Sequence, residues 1–511
     1  MKQTAVIVMT LTVLSKIVGF GREMALSYTF GASGITDAYL ISQTIPAVIF
    51  AFIGGGISTA FIPLYSKIER NGGKLSADRY TSNLVNSVLV FSTMLVVVIL
   101  LFTKPVVKMF AAGFTGETLE LTVNFTRIGA VGLYFTAMIH IFGGYLRLHN
   151  HYIVPELIGF PSNVIIIVGT FISYTTNVYV LVIASVAATF VQFAVLIPSI
   201  RKTNYRHDWF LKFNDPKLRT MAIIALPVIL GRSIDQINVL VDRTMASQLA
   251  VGGISVLNYA SKLNRFVEGI FVASIITVMY PMIAKMAAND DLKALKVSVS
   301  ESISIINVLV LPSTLGLMIF SREVIGLLFG RGAFTQEALN ITGDALFYYA
   351  IGMFTLGRRV LYRAFYALQD TRTPMIVSSV AVVVNIIFNV LLSRVMGISG
   401  LALATSISCV ISSILMLIAL RVKVGPLGLS VMAKSFLKIC TASIIMGVLA
   451  YLAYSKLSHT FGQNASLLIA ITIGALSYSV VIYFMRIPEV DQILISFQKR
   501  ISRKDVDGNI H

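Results

Sequence analysis

Residues 220–248 read TMAIIALPVILGRSIDQINVLVDRTMASQ, an apolar stretch of membrane-spanning length that carries two arginines and two aspartates. A helix turns by about 100° per residue, which brings all four charges within an arc of about 100°. They are Arg232, Asp235, Asp242 and Arg243. The stretch therefore predicts a transmembrane helix that is apolar except for one charged stripe.

Similar apolar stretches recur throughout the 511 residues, of which 56% are hydrophobic and 13% charged, with a mean hydropathy of +0.83. A transmembrane helix needs about 20 predominantly apolar residues. The sequence therefore predicts an all-α polytopic membrane protein with fourteen transmembrane helices. The predicted spans are 4–30, 36–64, 82–103, 121–146, 155–174, 178–199, 220–248, 253–284, 297–320, 338–366, 375–393, 398–420, 434–455 and 465–485.

The net charge of +18 is unevenly distributed. Of the 41 lysines and arginines, the predicted topology places 25 on one side of the membrane and six on the other. Loops rich in lysine and arginine stay in the cytoplasm, so both termini are predicted to be cytoplasmic. This asymmetry accounts for most of the excess charge and argues against nucleic acid as a partner.

The remaining ten cations lie inside predicted spans. A cation at the bilayer centre costs about 2.5–3.5 kcal/mol on insertion scales, so these side chains are expected to line a wet interior or to pair with acids. Only about six acids share the spans, which leaves a surplus of positive charge and favours an anionic cargo. For any single cation, internal ion pairing remains an alternative. The ten are Lys16, Arg22, Arg127, Arg232, Arg243, Lys262, Arg265, Arg358, Arg359 and Arg363.

Two further spans carry charges at helical spacing. In span 8, Asn258, Lys262, Arg265 and Glu268 recur every three or four residues. In span 1, Lys16 and Glu23 share a face, and Asp37 opens span 2. The predicted substrate-binding residues are Lys16, Arg22, Asp37, Lys262, Arg265 and Arg243.

A second polar set has a different composition. Asn385 and Asn389 lie one helical turn apart in span 11, Thr405 lies in span 12, and Asp235 lies in span 7. One carboxylate together with amide and hydroxyl oxygens suits Na⁺, and polar transmembrane helices often supply such sites. The alternative is interhelical hydrogen bonding by asparagine.

The remaining glycine, histidine and cysteine positions suggest structural roles, and common enzyme motifs are absent from the sequence. The glycines at 54–56 predict either a hinge or close helix packing, and His140 predicts a packing role. Cys409 and Cys440 both lie in apolar spans and predict neither a disulfide nor a metal site. The sequence contains no P-loop, zinc-protease or nucleophile-elbow motif. We therefore expect a transporter rather than an enzyme, with no cofactor except a Na⁺ coupling ion.

An internal repeat divides the chain. The segments after spans 4 and 10 end in prolines 219 residues apart, Pro155 and Pro374, and Arg22 and Arg243 are 221 residues apart. Spans separated by six keep the same orientation, which indicates a parallel repeat. We predict an N-terminal lobe of helices 1–6 (1–200), a cytoplasmic connector (201–219), a C-terminal lobe of helices 7–12 (220–422), helices 13–14 (432–486) and a cytoplasmic tail (487–511).

Two stretches carry a resemblance to a known family. They are SKIVGFGREMALSYTFGASGITDAYLISQTIPAVIFAFIGGGISTAFIPLY (15–65) and RAFYALQDTRTPMIVSSVAVVVNIIFN (363–389). Both resemble the MviN/MurJ family of lipid II flippases, and the resemblance extends over the whole chain. It implies two pseudo-symmetric six-helix lobes around a central cavity, two C-terminal helices beside a lipid-facing groove, and a monomer in the bacterial cytoplasmic membrane. The implied cargo is undecaprenyl-diphosphate-linked disaccharide pentapeptide.

The resemblance also bears on single residues. Arg22 matches the arginine of the G-F-x-R motif, and Asp37 matches the aspartate that opens helix 2. Lys16 and Lys262 replace family arginines, which keeps the charge but loses bidentate geometry. Phe50 and Gly55 stand where some members carry an arginine and a glutamate. The sequence therefore predicts a lipid II flippase. A flippase for another polyprenyl-linked polysaccharide is the first alternative, followed by a cation-coupled drug antiporter and a membrane-embedded transferase.

Overall fold

A computed structural model of the chain describes residues 2–487, without the side chains at 2–9, 52, 53, 55, 56, 58, 59, 227, 228, 230–233 and 235. Over this range the secondary structure consists of helices and turns, and no strand occurs. The first nine helices are α1 (Lys2–Phe30), α2 (Gly34–Leu101), α3 (Thr103–Phe110), α4 (Gly116–Gly129), α5 (Gly132–Leu148), α6 (Ile153–Leu157), α7 (Gly159–Thr175), α8 (Tyr179–Lys202) and α9 (Pro216–Leu249).

Ten further α-helices follow, with a π-helical turn (Glu268–Val272) between the first two of them. They are α10 (Gly253–Val267), α11 (Ala273–Ala288), α12 (Leu292–Ile319), α13 (Ser321–Phe329), α14 (Gln336–Met353), α15 (Arg358–Ala367), α16 (Arg372–Met396), α17 (Ile398–Val424), α18 (Leu429–Phe461) and α19 (Gln463–Phe484).

Ten segments of these helices are long and apolar enough to cross a membrane, or eleven if the bent pair α4 and α5, which meet at 45°, forms one span. The prediction of an all-helical polytopic membrane protein is confirmed, whereas the count of fourteen spans is not. The predicted spans 1, 7 and 10 fall outside this set. Spans 1 and 7 include side chains that lie outside the described residues, and span 10 is divided between α14 and α15. The helix α9 alone, with 34 residues, is about 50 Å long.

The second and third predicted spans are joined within α2, which extends over 68 residues. Its only non-helical residue is Gly73, where φ is 74° and ψ is 171°. This backbone conformation is essentially restricted to glycine, because a Cβ atom would clash with the neighbouring peptide. Gly73 therefore separates two helical segments without a conventional loop.

The chain divides into two compact units, and the first comprises Met1–Tyr259 and Phe329–Ala338. Its core lies between α2 and α5, where Phe61, Tyr65 and Tyr145 are fully buried. The hydroxyls of Tyr65 and Tyr145 both donate to Asp78 Oδ1, at 3.0 and 3.1 Å. Buried hydroxyls are costly without partners, so this carboxylate stabilises the aromatic core.

The second unit comprises Ala260–Leu328 and the chain from Leu339 onwards. Its helices form an apolar core around α12, α15 and α17. The last two helices, α18 and α19, pack against α12, and the Tyr478 hydroxyl donates to the Val308 carbonyl oxygen at 2.6 Å. The predicted domain boundaries differ from the limits of these units and stay a prediction.

Candidate functional site

Arg22 lies in the first unit as part of a polar cluster inside the helices. Its guanidinium donates to Glu23 Oε1 at 2.9 Å and to Asn163 Oδ1 at 3.2 Å. Glu23 is 3% exposed, and its second oxygen accepts from Asn258 Nδ2 at 3.0 Å. The arginine is thus oriented by two acceptors, while part of its side chain stays exposed. Internal ion pairing, the alternative left open above, does occur at this position.

Asp37 occupies a second, fully buried polar site in the same unit. Its carboxylate accepts hydrogen bonds from the backbone N–H groups of Gly252 and Ser255, at 2.9 and 2.7 Å, and from the Ser255 hydroxyl. These donors belong to the first turn of α10 and the residue before it. The first N–H groups of a helix lack intrahelical acceptors, so Asp37 caps the start of α10 from a distant part of the chain. Arg243 lies within electrostatic range of this carboxylate.

The backbone around Asp37 is packed without room for side chains at two glycines. A Cβ atom on Gly252 would clash with the carbonyl oxygen of Ala32, and φ at Gly252 is +81°. A Cβ atom on Gly113 would likewise clash with the carbonyl oxygen of Ser247. The backbones therefore approach each other closely at both positions.

The second unit holds another set of the cations that the sequence places inside spans. Arg359 Nε forms an ion pair with Glu268 Oε1 at 2.7 Å, where the π-helical turn begins. Arg358 donates to Thr355 Oγ1 at 2.7 Å and to Cys409 Sγ at 3.1 Å. The Arg363 guanidinium lies 5.4 Å from the centre of the Tyr280 ring. Arginines of this unit are therefore held by an acid, by neutral acceptors and by an aromatic ring.

The predicted substrate residues are divided between the units. Lys16, Arg22, Asp37 and Arg243 lie in the first unit, and Lys262 and Arg265 lie in the second. Lys16 and Arg265 are exposed, whereas Lys262 is half-buried. Arg265 forms no ion pair with any side chain that the structure describes. The π-helical turn that follows Arg265 is of a type often found at functional sites. The assignment of all six to substrate binding stays a prediction.

Two residues that contact Arg22 and Asp37 were not predicted from the sequence. Asn163 supports Arg22 from 141 residues away, and Ser255 supplies two of the three donors to Asp37. The signal for Asn163 was an amide inside an apolar span, which costs free energy unless it is hydrogen-bonded. Ser255 acts partly through its backbone, which carries no signal in the sequence.

The predicted Na⁺ ligands of the second unit form one hydrogen-bonded group. Asn389 Nδ2 donates to Asn385 Oδ1 at 2.9 Å, and Asn385 Nδ2 donates to Thr405 Oγ1 at 3.3 Å. Both amides are buried. The fourth predicted ligand, Asp235, belongs to α9, and its side chain lies outside the described residues. The oxygens of α16 and α17 are of the type that Na⁺ binds, but they also satisfy the hydrogen-bonding alternative.

One of the two positions that depart from the family pattern, Phe50, packs against His140. The rings of Phe50 and His140 are 5.3 Å apart, and Phe50 is buried while His140 stays exposed. A Cβ atom on Gly54 would lie 2.8 Å from the Phe50 ring, and α2 continues through this position. This geometry favours close packing over a hinge at Gly54. The surroundings of Gly55 are not part of what the structure describes.

The all-helical fold, with several candidate membrane spans and with arginines oriented inside its helices, is that of a polytopic membrane transporter. Among the side chains that the structure describes, no group of three or more histidines, cysteines or acids is placed to bind a metal. A family model described as lipid II flippase MurJ matches residues 26–472. The chain therefore belongs to the MurJ family, which confirms the resemblance seen in the sequence.

Individual relatives agree over nearly full length. The chain is 30% identical over 493 residues to a probable lipid II flippase MurJ of Thermotoga maritima, covering 94% of this chain and 96% of the relative. It is 30% identical over 470 residues to a lipid II flippase MurJ of Thermosipho africanus, covering 91% and 93%. Among solved structures, a lipid II flippase MurJ in an inward closed conformation matches with a TM-score of 0.82 at 28% identity, covering 94% of this chain and 98% of the other.

A more distant structure shares the fold alone. An inward-facing multidrug resistance MATE family transporter of the MOP superfamily matches with a TM-score of 0.67 at 14% identity, covering 83% of this chain and 98% of the other. The family is thus supported by sequence and structure together, whereas this second structure shows a shared fold only.

Proposed function

We propose that this protein translocates lipid II from the inner to the outer leaflet of the bacterial cytoplasmic membrane for cell wall synthesis. The observation that carries the proposal is a set of oriented arginines within the helices of a chain that belongs to the MurJ family. An antiporter for cationic drugs would require an acidic interior instead.

The physical task is to move a diphosphate through hydrocarbon. The diphosphate carries at least two negative charges and cannot cross unaided. Arginine and lysine donors replace its hydration with charge-assisted hydrogen bonds. Arg22 is preorganised for this role because Glu23 and Asn163 fix its guanidinium while part of the side chain remains exposed. The isoprenoid tail remains in lipid while the headgroup site opens to each side in turn.

The finer architecture is part of this proposal. Fourteen spans require that α1, α9 and the pair α14 and α15 also cross the membrane, and the length of α1, 29 residues or about 44 Å, supports this. Six helices would form each lobe, the last two helices would complete the lipid-facing groove, and the carrier would act as a monomer without a nucleic-acid partner.

Complementation of a conditional strain that lacks its lipid II flippase tests the function. The wild-type chain is expected to restore growth and to expose lipid II on the outer surface of the cells. A different polyprenyl-linked glycan is the second candidate, since Phe50 and Gly55 replace charges that some family members carry. Growth failure at normal membrane levels, together with transport of another glycan, would favour that candidate.

The proposed orientation predicts which positions react with an external, membrane-impermeant thiol reagent. In a background without Cys409 and Cys440, single cysteines at Lys74, Arg206 and Lys293 are expected to be protected in intact cells, because these positions lie in the cation-rich loops. Cysteines at Ser33, Thr115 and Ser458 are expected to be labelled. All six should react after permeabilisation. Labelling of the first three in intact cells would reverse the orientation.

The Na⁺ site predicts a difference in thermal stability between salts. Wild-type protein is expected to melt at a higher temperature in Na⁺ than in K⁺, because an ion that binds the folded state stabilises it. Asp235→Asn removes the only charge among the proposed ligands and should abolish this difference while cargo binding survives. If Asp235 instead pairs with a buried cation, the variant should melt lower in both salts. Identical melting of the wild type in Na⁺ and K⁺ would exclude the site.

A further inference from the structure

The connector, residues 201–219, comprises the end of α8, the start of α9 and residues 203–215 between them, which are held in place by side chains rather than by regular secondary structure. Asn83 Oδ1 accepts from the Lys212 backbone N–H at 2.8 Å, and Asn83 Nδ2 donates to the Lys212 carbonyl oxygen at 3.0 Å. Asn86 Nδ2 donates to the carbonyl oxygens of Asp208 and Phe210, at 3.1 and 2.8 Å. A backbone without regular structure needs other partners for its polar groups, and two asparagines of α2 supply them.

Three side chains of the connector reinforce this attachment. The Tyr205 hydroxyl hydrogen-bonds to Ser82 Oγ at 2.9 Å and to His207 Nδ1 at 3.2 Å, and His207 Nε2 contacts Asn86 Oδ1 at 3.0 Å. Partial burial lowers the pKa of His207 below its usual value and so favours the neutral ring, in which Nε2–H donates to Asn86 Oδ1 and Nδ1 accepts from the Tyr205 hydroxyl. The Phe210 ring packs under the Arg79 guanidinium at 4.8 Å. The connector is therefore a positioned element.

This attachment leaves an apolar tip exposed, formed by Trp209, Leu211 and Phe213, which are 84%, 45% and 60% exposed. Exposed aromatic side chains of this size are unfavourable in water. Six cations of the connector flank the tip against two acids, Asp208 and Asp215. The cations are Arg201, Lys202, Arg206, Lys212, Lys217 and Arg219.

The tip lies close in the chain to two helices, α8 and α9. Trp209 is seven residues from Lys202, where α8 ends, and seven from Pro216, where α9 begins. The segment Tyr179–Lys202 is a candidate membrane span. The first turns of α9 also expose apolar side chains, Ile223, Ile224 and Leu226. The tip is therefore only a short stretch of chain from the end of a candidate span and from helix surfaces suited to lipid.

We propose that the connector is an interfacial anchor, whose tip of Trp209, Leu211 and Phe213 inserts among the headgroups of an anionic phospholipid surface while its lysines and arginines bind the lipid phosphates. Tryptophan is favoured at the membrane interface because its ring is apolar and its N–H is polar. Clustered cations beside a span are attracted by anionic lipids. The proposal does not depend on the cargo of the transporter.

The chain offers a direct test because Trp209 is its only tryptophan. The full-length protein is placed in bicelles of zwitterionic or part-anionic phospholipid, with or without bromine on the acyl chains near the headgroup. Trp209 emission is expected to be blue-shifted, to be largely quenched by the brominated lipid and to be little affected by acrylamide in the water. Strong quenching by acrylamide with none by brominated lipid would overturn the anchor.

A charge variant tests the anionic component. Arg206→Glu combined with Lys212→Glu is expected to reduce the quenching by brominated anionic lipid, whereas Lys293→Glu, at an exposed position near the start of α12, should leave it unchanged. Equal quenching of wild-type emission in zwitterionic and anionic bicelles would show that the lipid charge plays no part. It would overturn the proposed preference for an anionic lipid surface. Because the wild type alone gives the first result, poor folding of a variant does not obscure it.

Discussion

Arg22→Ala is expected to abolish growth complementation and to remove nearly all translocation. Loss of a charge-assisted hydrogen bond costs about 1.5–3 kcal/mol, which corresponds to roughly 10- to 100-fold in affinity or rate. In the structure, Arg22 is held by two acceptors, Glu23 and Asn163. Lys16→Ala and Lys262→Ala are expected to act in the same direction, because each removes one positive charge from the proposed headgroup site.

Stability must be separated from transport in this experiment. Removing Arg22 takes one ion-pair partner from Glu23, which is almost fully buried, so the variant is expected to lose stability as well. Arg22→Lys keeps the charge and should retain partial activity. Arg147→Ala is the matched control, because Arg147 forms an ion pair with Glu156 at the same distance of 2.9 Å but is more exposed. Normal growth of the alanine variants at Arg22, Lys16 and Lys262 would show that these cations do not bind the headgroup.

Asp37→Asn is expected to lower the melting temperature by several degrees and to impair transport. The carboxylate accepts from three donors of the α10 start, whereas an amide has one oxygen and turns an N–H₂ group towards the donors. A buried donor without a partner costs about 1–3 kcal/mol. The loss should be independent of whether the melting is measured in Na⁺ or K⁺.

Asp291→Asn provides the control for Asp37. Asp291 also caps a helix, with its carboxylate accepting from the Ala294 N–H at 2.9 Å at the start of α12, but it is exposed. Asparagine and aspartate are about equally good at this position, so the melting temperature should hardly change. Equal effects of the two substitutions would mean that burial of the Asp37 site contributes nothing to its stability.

The sequence predicted the features that depend on composition along one helix. Apolar length predicted the membrane spans, and charges inside them identified Arg22 and Glu23, which the structure places in one cluster. The partners across the fold were not predictable. Asn163 is 141 residues from Arg22, and Gly252 binds Asp37 through its backbone N–H, which every residue except proline possesses.

Other differences follow from the same physical limit. The 201–219 segment was predicted to be a connector from its hydrophilic composition. Composition does not reveal which hydrogen-bond donors and acceptors meet in the folded chain, so the attachment of this segment to α2 was not predicted. The side chains that hold it, Asn83 and Asn86, lie in a predicted span and are hydrogen-bonded to backbone atoms more than 120 residues later. The two helical segments of α2 meet without a loop at a single glycine conformation, that of Gly73, which one sequence does not specify.

The attachment of the connector to α2 also has a consequence for biogenesis. Asn83 emerges from the ribosome 129 residues before Lys212, its backbone partner. At about 5–20 residues per second, roughly 6–26 s of translation separate the two. During this interval the buried amides of α2 must be satisfied by water, lipid headgroups or the insertion machinery. A nascent chain that stalls before the connector therefore exposes a polar helix face, a feature by which membrane quality control can distinguish incomplete from complete protein.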